Sequence, residues 1–231
     1  MRHSLRKRNN FYKEVKRFNL VDIGCGEGHT TKQILDRLEF DYVCDLVEPN
    51  KNALNSAKVF LSFENNIGGY FVDTLSSFKP KKKYDVIFTS HTNYYWSSNE
   101  EDYKSQLKKL ISILNEKGKL LILTLPRRSD HYNIMLRQVY PKFVYSKYIT
   151  NFYRNIGFNV KVKKFKMRMY VGDMLTNKKY FDLNNFYKFI HNTNVNPSRT
   201  ELDIFRLKLK KYQKKGYLDF KDELLLISKN K

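Results

Sequence analysis

A glycine-rich turn, followed by a carboxylate at the end of the next apolar run, is the part of the chain best suited to chemistry. The first apolar run contains an aspartate and ends in glycines at alternate positions, and the glutamate comes twenty residues after the last of them. Glycine lets the main chain adopt positive φ angles and lets a ligand approach the backbone, while a carboxylate at a strand tip can accept hydrogen bonds from ribose hydroxyls. The spacing predicts a nucleoside cofactor site. Its candidate residues are Asp22, Gly24, Gly26, Gly28, Glu48 and Pro49.

A polar and aromatic cluster follows a later apolar run, at Ser90, His91, Tyr94, Tyr95 and Trp96. A histidine can exchange a proton near neutral pH, and aromatic rings attract cations to their faces. The cluster is therefore a candidate acceptor site. The structural alternative, a hydrogen-bonded histidine beside rings that pack in the core, stays open at this point.

Short apolar runs alternate with helical patterns along the chain, which predicts parallel βαβ units. These elements must position the candidate residues. The predicted strands cover residues 18–23, 42–48, 69–72, 84–89, 118–125, 158–169 and 224–228. The predicted helices cover residues 29–39, 50–63, 100–114, 146–156, 182–192 and 199–215. Residues 171–217 are too many for a hairpin turn, so we expect a helical cap inserted into a single domain of residues 1–231.

Composition and charge limit the function. No apolar run approaches the roughly 20 residues that span a bilayer, and no apolar region follows the basic N-terminus, which predicts a basic helix or arm rather than a secretion signal. Cys25 and Cys44 are the only cysteines, so we expect no metal cluster, no disulfide framework and a cytoplasmic location.

The net charge of +21 is unevenly distributed along the chain. Residues 1–126 contribute +5 and residues 127–231 contribute +16. A basic surface of this kind attracts anions, including nucleic acid. The alternative is a lysine-rich genome composition, with the lysines of the strand at 158–169 on a solvated face.

The pattern D-x-G-x-G-x-G at residues 22–28 resembles motif I of the class I S-adenosylmethionine (SAM) methyltransferases. The order of the predicted elements resembles that family over nearly the whole chain. The resemblance implies a Rossmann-like sheet that is mostly parallel with its last strand antiparallel, helices on both faces, and SAM as the cofactor.

Residues 84–96, 147–150 and 155–158 resemble the histamine N-methyltransferase branch of that family. The resemblance implies that the three glycines line the methionine and ribose of SAM, and that Glu48 binds the ribose hydroxyls. It places Asp73 at the adenine amino group, although Asp73 could instead cap a helix, and it places Ser90 beside the adenine or the sulfonium. It makes His91 a polar acceptor-binding residue and a candidate base. Tyr94, Tyr95 and Trp96 become aromatic acceptor contacts, and Asp222 falls near a substrate-binding asparagine.

The function predicted from these features is methyl transfer from SAM to a small-molecule acceptor, an amine nitrogen. An RNA methyltransferase that binds phosphates through the basic C-terminal half is the alternative. A binding subunit without activity is a third possibility. The sequence leaves the acceptor and the oligomeric state open.

Overall fold

The computed structural model describes residues 17–127, 129–130, 134, 143–175, 180–191 and 195–230. The described strands form one sheet in the order β3-β2-β1-β4-β5-β7-β6. The strands are β1 (Phe18–Ile23), β2 (Tyr42–Val47), β3 (Ile67–Phe71), β4 (Tyr84–Ser90), β5 (Leu114–Thr124), β6 (Phe158–Tyr170) and β7 (Tyr217–Lys229). The helices are α1 (His29–Leu35), α2 (Lys51–Phe60), α3 (Glu100–Ser112), α4 (Ser146–Asn155), α5 (Tyr180–His191) and α6 (Arg199–Tyr212). Residues 1–16, where the sequence predicts a basic helix or arm, lie outside the described residues.

Strands β1 to β5 pair in parallel, and β7 runs antiparallel between β5 and β6. The predicted mostly parallel sheet with an antiparallel last strand is therefore confirmed. Parallel pairing brings the carboxyl ends of β1, β2, β3 and β4 to one edge of the sheet. The order of the strands reverses next to β1, and ligands of open α/β sheets bind in the crevice at such a reversal.

Helices cover both faces of the sheet because successive strand residues point to opposite sides. Leu20 and Leu46 pack with Leu54 of α2 on one face. Val21 and Ile122 belong to the core cluster of the other face, which α3 and α4 supply with Tyr103, Leu107, Leu110, Ile149 and Tyr153. Strands β1 and β2 thus contribute side chains of opposite faces to two separate cores, which fixes their register.

Strand β7 begins seven residues before its predicted start at residue 224. Its C-terminal half pairs with both neighbours, whereas residues 217–222 pair with β6 alone and extend past the end of β5. The polar residues in that extension hid the strand from the sequence pattern. Its alternate residues Leu218 and Asp222 are nonetheless buried, as expected for a strand with one packed face.

The segment between β6 and β7 contains a 3₁₀ turn (Gly172–Leu175), α5 and α6. These elements pack against the β6–β7 extension in a cluster of their own. The cluster includes Val171, Leu183, Phe205, Leu209 and Leu218. Its role as a cap, within a single domain of residues 1–231, stays a prediction.

Among the described helices, none combines the length and the apolar character that crossing a bilayer requires.

Candidate functional site

A cavity of about 510 Å³ opens at the carboxyl edge of the sheet, where the loops after β1, β2, β3 and β4 meet. The structure brings five of the predicted cofactor residues to its wall. These are Gly24, Gly26, Glu48, Pro49 and Asp73. The volume lies within the range of ~300–1,000 Å³ that is typical of small-molecule sites. Parallel pairing accounts for this convergence, because each of these residues lies in a loop that follows the carboxyl end of β1, β2 or β3.

The three glycines of the first turn meet different surroundings. A side chain at Gly24 would collide with Thr92 in the loop after β4, and one at Gly28 would contact Leu61, 3.0 Å away, after α2. Gly26 has a φ of +56° and no neighbouring atom within 4 Å of the position of a Cβ. Gly24 and Gly28 therefore allow close packing of the turn, whereas Gly26 keeps the cavity open for a ligand.

Asp22 lies behind the turn and is not among the residues that line the cavity. Its side chain is buried, and its Oδ2 accepts a hydrogen bond of 2.6 Å from the hydroxyl of Thr31 in α1. Burial raises the pKa of this carboxyl to about 7, opposed by the Thr31 hydrogen bond and assisted by the negative charge of Glu48. Asp22 thus ties β1 to the first helix and is neutral over part of the acidic pH range.

Glu48 joins two loops through both oxygens of its carboxylate. Oε2 accepts from the backbone N–H of Gly26 at 3.0 Å, and Oε1 accepts from the N–H of Asn50 at 2.9 Å. Each carboxylate oxygen has a second lone pair. The side chain is therefore held in place while it can still accept hydrogen bonds from two neighbouring hydroxyls.

We expect Glu48→Ala to weaken the binding of S-adenosylhomocysteine by about 1–3 kcal/mol, the cost of losing a charged hydrogen-bond partner. Isothermal calorimetry measures this change. Glu27→Ala is the matched control, because Glu27 lies in the same turn with its side chain 60% exposed. Equal affinities of the Glu48 variant and the parent, or equal losses in both variants, would remove Glu48 from the site.

Asp73 and the turn that follows it form the far wall of the cavity. The backbone N–H of Thr74 donates to Oγ of Ser77 at 3.0 Å, and Nζ of Lys109 in α3 donates to the carbonyl of Ser76 at 2.6 Å. Leu75 is buried at the same wall. This wall offers a carboxylate beside an apolar surface, a combination that suits a heterocyclic ring bearing an amino group.

A second cavity, of about 550 Å³, adjoins the first. Tyr95 lines both cavities, so they meet at this residue. His91, Tyr94 and Asp222 line the second cavity, as expected for acceptor residues. Ser90, predicted at the cofactor, lies here rather than in the first cavity, because its side chain points to the face of β4 that the second cavity occupies.

Trp96, predicted at the acceptor, lines the first cavity instead. Its ring lies 5.9 Å from the ring of Tyr103 in α3. The two rings are tilted by 32°, and Trp96 packs against the core cluster that contains Tyr103.

His91 occupies a strained position directly after β4. Its φ is +54°, a region that non-glycine residues rarely adopt. Its N–H donates to the carbonyl of Leu123 at 2.9 Å, which extends the β4–β5 ladder by one residue. Nε2 of His91 lies 3.5 Å from Oδ2 of Asp222. Backbone strain of this kind is concentrated at functional sites.

Several wall residues could not be identified from the sequence. Thr92 hydrogen-bonds to Thr89 at 2.5 Å and to the carbonyl of Ile23 at 3.4 Å, which joins the loop after β4 to β1. Gln106 reaches the first cavity from α3. Met167, Met169 and Phe220 reach the second cavity from the extended ends of β6 and β7. Alternating apolar residues at 165, 167 and 169 were the available signal for the β6 contribution.

Residues 2–161 match a family described as a methyltransferase domain. The malonyl-[acyl-carrier protein] O-methyltransferase 1 of Ilyobacter polytropus is 29% identical over 109 residues, which cover 47% of this chain and 38% of that enzyme. A second such enzyme of the same organism is 28% identical over 46% of this chain and 39% of its own length. The chain thus spans about two fifths of the length of the curated relatives it matches.

Two solved structures share the architecture. The YcgJ protein of Bacillus subtilis superposes with a TM-score of 0.62 at 14% identity, over 93% of both chains. The N-methyltransferase NodS of Bradyrhizobium japonicum superposes with a TM-score of 0.56 at 9% identity, over 92% of this chain and 86% of NodS. Such low identities show the fold. The chain belongs to the methyltransferase domain family, it has the class I Rossmann-like methyltransferase fold, and SAM is the cofactor that family and fold indicate.

Proposed function

We propose that the protein transfers a methyl group from SAM to a small-molecule acceptor, an amine nitrogen. The observation that carries this proposal is the pair of cavities that meet at Tyr95. One is bounded by a turn and a carboxylate suited to a nucleoside. The other is bounded by aromatic rings and by the neighbouring side chains of His91 and Asp222.

The first cavity fits the cofactor in shape and in chemistry. The open space at Gly26 admits a ligand against the backbone, and Glu48 faces that turn with lone pairs for the ribose hydroxyls. Asp73 and Leu75 suit the amino group and the ring of adenine. When bound, SAM supplies a methyl group activated by a positively charged sulfur.

The second cavity favours an amine as acceptor. Methyl transfer is an in-line displacement, so holding the acceptor in position supplies much of the acceleration. The amine nitrogen reacts through its lone pair, so an ammonium group first loses a proton, and the imidazole of His91 can take it. The rings of Tyr94 and Tyr95, with centroids 5.1 Å apart, offer faces that attract positive charge. The resemblance of residues 84–96 to the histamine N-methyltransferase branch supports the same acceptor class.

Two other acceptors fit the site less well. A malonyl group, the acceptor named for the two curated relatives, carries a carboxylate that Asp222 would repel across a low-dielectric cavity. RNA is favoured only by the positive charge of the C-terminal half. The lysines of β6 are exposed along a strand edge and line neither cavity.

We expect the methyl label of radioactive SAM to appear in a pool of small amines, and not in malonyl-acyl carrier protein or total RNA. His91→Gln should lower the rate in the amine pool by roughly 10²–10⁴-fold, the usual contribution of a general base. Its affinity for S-adenosylhomocysteine should be unchanged, because His91 lines only the second cavity. His29→Gln is the control, since that histidine is exposed at the start of α1.

Two results would contradict this proposal. Label recovered in RNA, with a salt dependence that flattens when Lys210, Lys211, Lys214 and Lys215 are neutralised, would establish the RNA alternative. Parallel loss of cofactor affinity and activity in the His91 variant would place that residue in the cofactor site or in the core.

A further inference from the structure

We propose that Thr92 is a positioning residue. Its side chain attaches the loop that carries His91 and Tyr95 to the glycine turn of the first cavity, and it thereby fixes where the imidazole of His91 lies relative to the cofactor. This inference rests on the proposed function and gives a role in it to a residue that neither the glycine motif nor the family resemblance includes.

The methyl group of Thr92 fills the space that the missing side chain of Gly24 leaves. The Cβ of Thr92 lies 2.9 Å from the position that a Cβ at Gly24 would take, and its γ-methyl lies closer still. Both residues line the first cavity. The loop after β4 therefore rests directly on the backbone of the turn against which a cofactor would lie, and any side chain at residue 24 would push the two apart.

The hydroxyl group of Thr92 connects the same loop to two strands. Its Oγ1 lies 2.5 Å from Oγ1 of Thr89 in β4 and donates to the carbonyl of Ile23, the last residue of β1, at 3.4 Å. Thr89 is buried, so water does not compete for the shorter of these bonds. The paired residues of β1 and β4 end one position earlier, at Asp22 and Phe88. The hydroxyl thus continues the connection between the two strands beyond the end of their ladder.

His91 is fixed on both sides, which accounts for its positive φ. Its own N–H donates to the carbonyl of Leu123 in β5, whereas the next residue, Thr92, is held against β1. Strands β1 and β5 flank β4 on opposite sides, so the chain changes direction within one residue, at a φ of +54°. A glycine adopts such an angle without strain, but a histidine keeps it only while its neighbours enforce it. Loss of the Thr92 hydroxyl would release His91 and move its imidazole from the place beside Asp222.

The far end of the loop has an attachment of its own. The N–H of Tyr95 donates to the carbonyl of Thr92 at 3.0 Å, which closes a 3₁₀ turn. Within that turn, Nδ2 of Asn93 donates to Oη of Tyr103 in α3 at 3.1 Å. A substitution at the side chain of Thr92 therefore leaves the turn attached to α3 and changes only the attachment to β1, β4 and the glycine turn.

Amide hydrogen exchange followed by NMR tests this attachment without turnover. Thr92→Val replaces the hydroxyl by a methyl group, which cannot approach Thr89 as closely, and Thr92→Ala removes both groups. We expect the amide of His91 to exchange about tenfold or more faster in both variants, because the loop opens locally. The amide of Ile87, in the middle of β4, should keep its rate. Thr92→Ser retains the hydroxyl and should keep the exchange at His91 within about threefold of the parent.

The same variants separate the rate from cofactor binding. The rate of methyl transfer to the pool of small amines, at saturating SAM, should fall by about 10–100-fold in Thr92→Val, since a small misplacement of a reacting group has an effect of this size. Its affinity for S-adenosylhomocysteine should be nearly unchanged, because valine keeps the methyl group that rests on Gly24, and Thr92→Ser should retain most of the rate. Thr124→Val is the control. It makes the same substitution in β5, where Oγ1 of Thr124 is buried without a hydrogen-bond partner among the described residues.

Unchanged exchange at His91 in the valine and alanine variants would overturn the inference. Equal acceleration at His91 and Ile87 would do the same, since it would show general destabilisation. A loss of cofactor affinity as large as the loss of rate in Thr92→Val would make Thr92 a cofactor contact instead. Faster exchange at His91 in the variants, with no methyl transfer by the parent, would contradict the proposed function alone. Methyl transfer by the parent with unchanged exchange in the variants would contradict the role of Thr92 alone.

Discussion

Replacing Gly26 by valine is expected to lower the affinity for S-adenosylhomocysteine by about 100-fold or more, which corresponds to roughly 2.7 kcal/mol. The Cβ of a residue here points into open space at the wall of the first cavity. A branched side chain would occupy the space in which a cofactor approaches the backbone. The φ of +56° adds strain, because a β-branched residue is a genuine outlier at positive φ.

Gly157→Val separates those two effects. Gly157 has a φ of +87° and open space at the Cβ position, but it follows α4, away from both cavities. Both variants should lose roughly 1–2 kcal/mol of stability to backbone strain, and only the Gly26 variant should lose the cofactor. Calorimetry gives the affinities, and urea denaturation gives the stabilities. Retained affinity in Gly26→Val would place the cofactor elsewhere.

Asp22→Asn is expected to stabilise the protein at pH 8 by an amount on the order of 4 kcal/mol, with a smaller gain as the pH falls to 4. In the folded protein burial raises the pKa of this carboxyl to about 7 from an ordinary value of 3.8. Between these values the unfolded chain is ionised while the folded protein keeps its proton. Rising pH therefore favours unfolding until about pH 7, and the asparagine variant escapes this penalty.

Urea denaturation of both proteins at several pH values between 4 and 8 measures this difference. Asp203→Asn is the control, since it makes the same substitution at a carboxylate whose side chain is 52% exposed. A difference that does not grow with pH would contradict the neutral state of Asp22. Because Asp22 does not line the first cavity, the affinity of the Asp22→Asn variant for S-adenosylhomocysteine should stay within about threefold of the parent. A larger loss would indicate that Asp22 contributes to cofactor binding.

Local patterns predicted the sheet well where local forces determine the structure. β1 occupies residues Phe18–Ile23 as predicted, because its apolar run is bounded by a polar segment and a glycine turn. The helix predicted for residues 29–39 ends at Leu35. The N–H groups of Arg37 and Leu38 bond to carbonyls three residues back, and such a tight turn ends an α-helix. Composition does not distinguish that ending from a longer helix.

The site depends on pairings between distant parts of the chain. Ser90 of β4 lies opposite Leu123 of β5, which lies opposite Leu224 of β7. This register brings Asp222 beside His91, although the two are far apart in sequence. Spacing along the chain carries no information about an antiparallel register of that kind, so only the resemblance placed Asp222 near the acceptor. The convergence of Gly24, Glu48 and Asp73 on the first cavity was easier to predict, since each follows the end of a parallel strand.

The basic residues of β6 affect the tendency of the protein to aggregate. In the described part of the chain β6 pairs with β7 alone and forms an edge of the sheet. Its exposed basic residues are Lys161, Lys163, Lys164, Lys166 and Arg168. An unpaired strand edge is a template for aggregation, and lysines along it oppose that pairing by repulsion between like charges. Part of the excess positive charge thus protects a long open edge at high concentration, a use that requires no anionic partner.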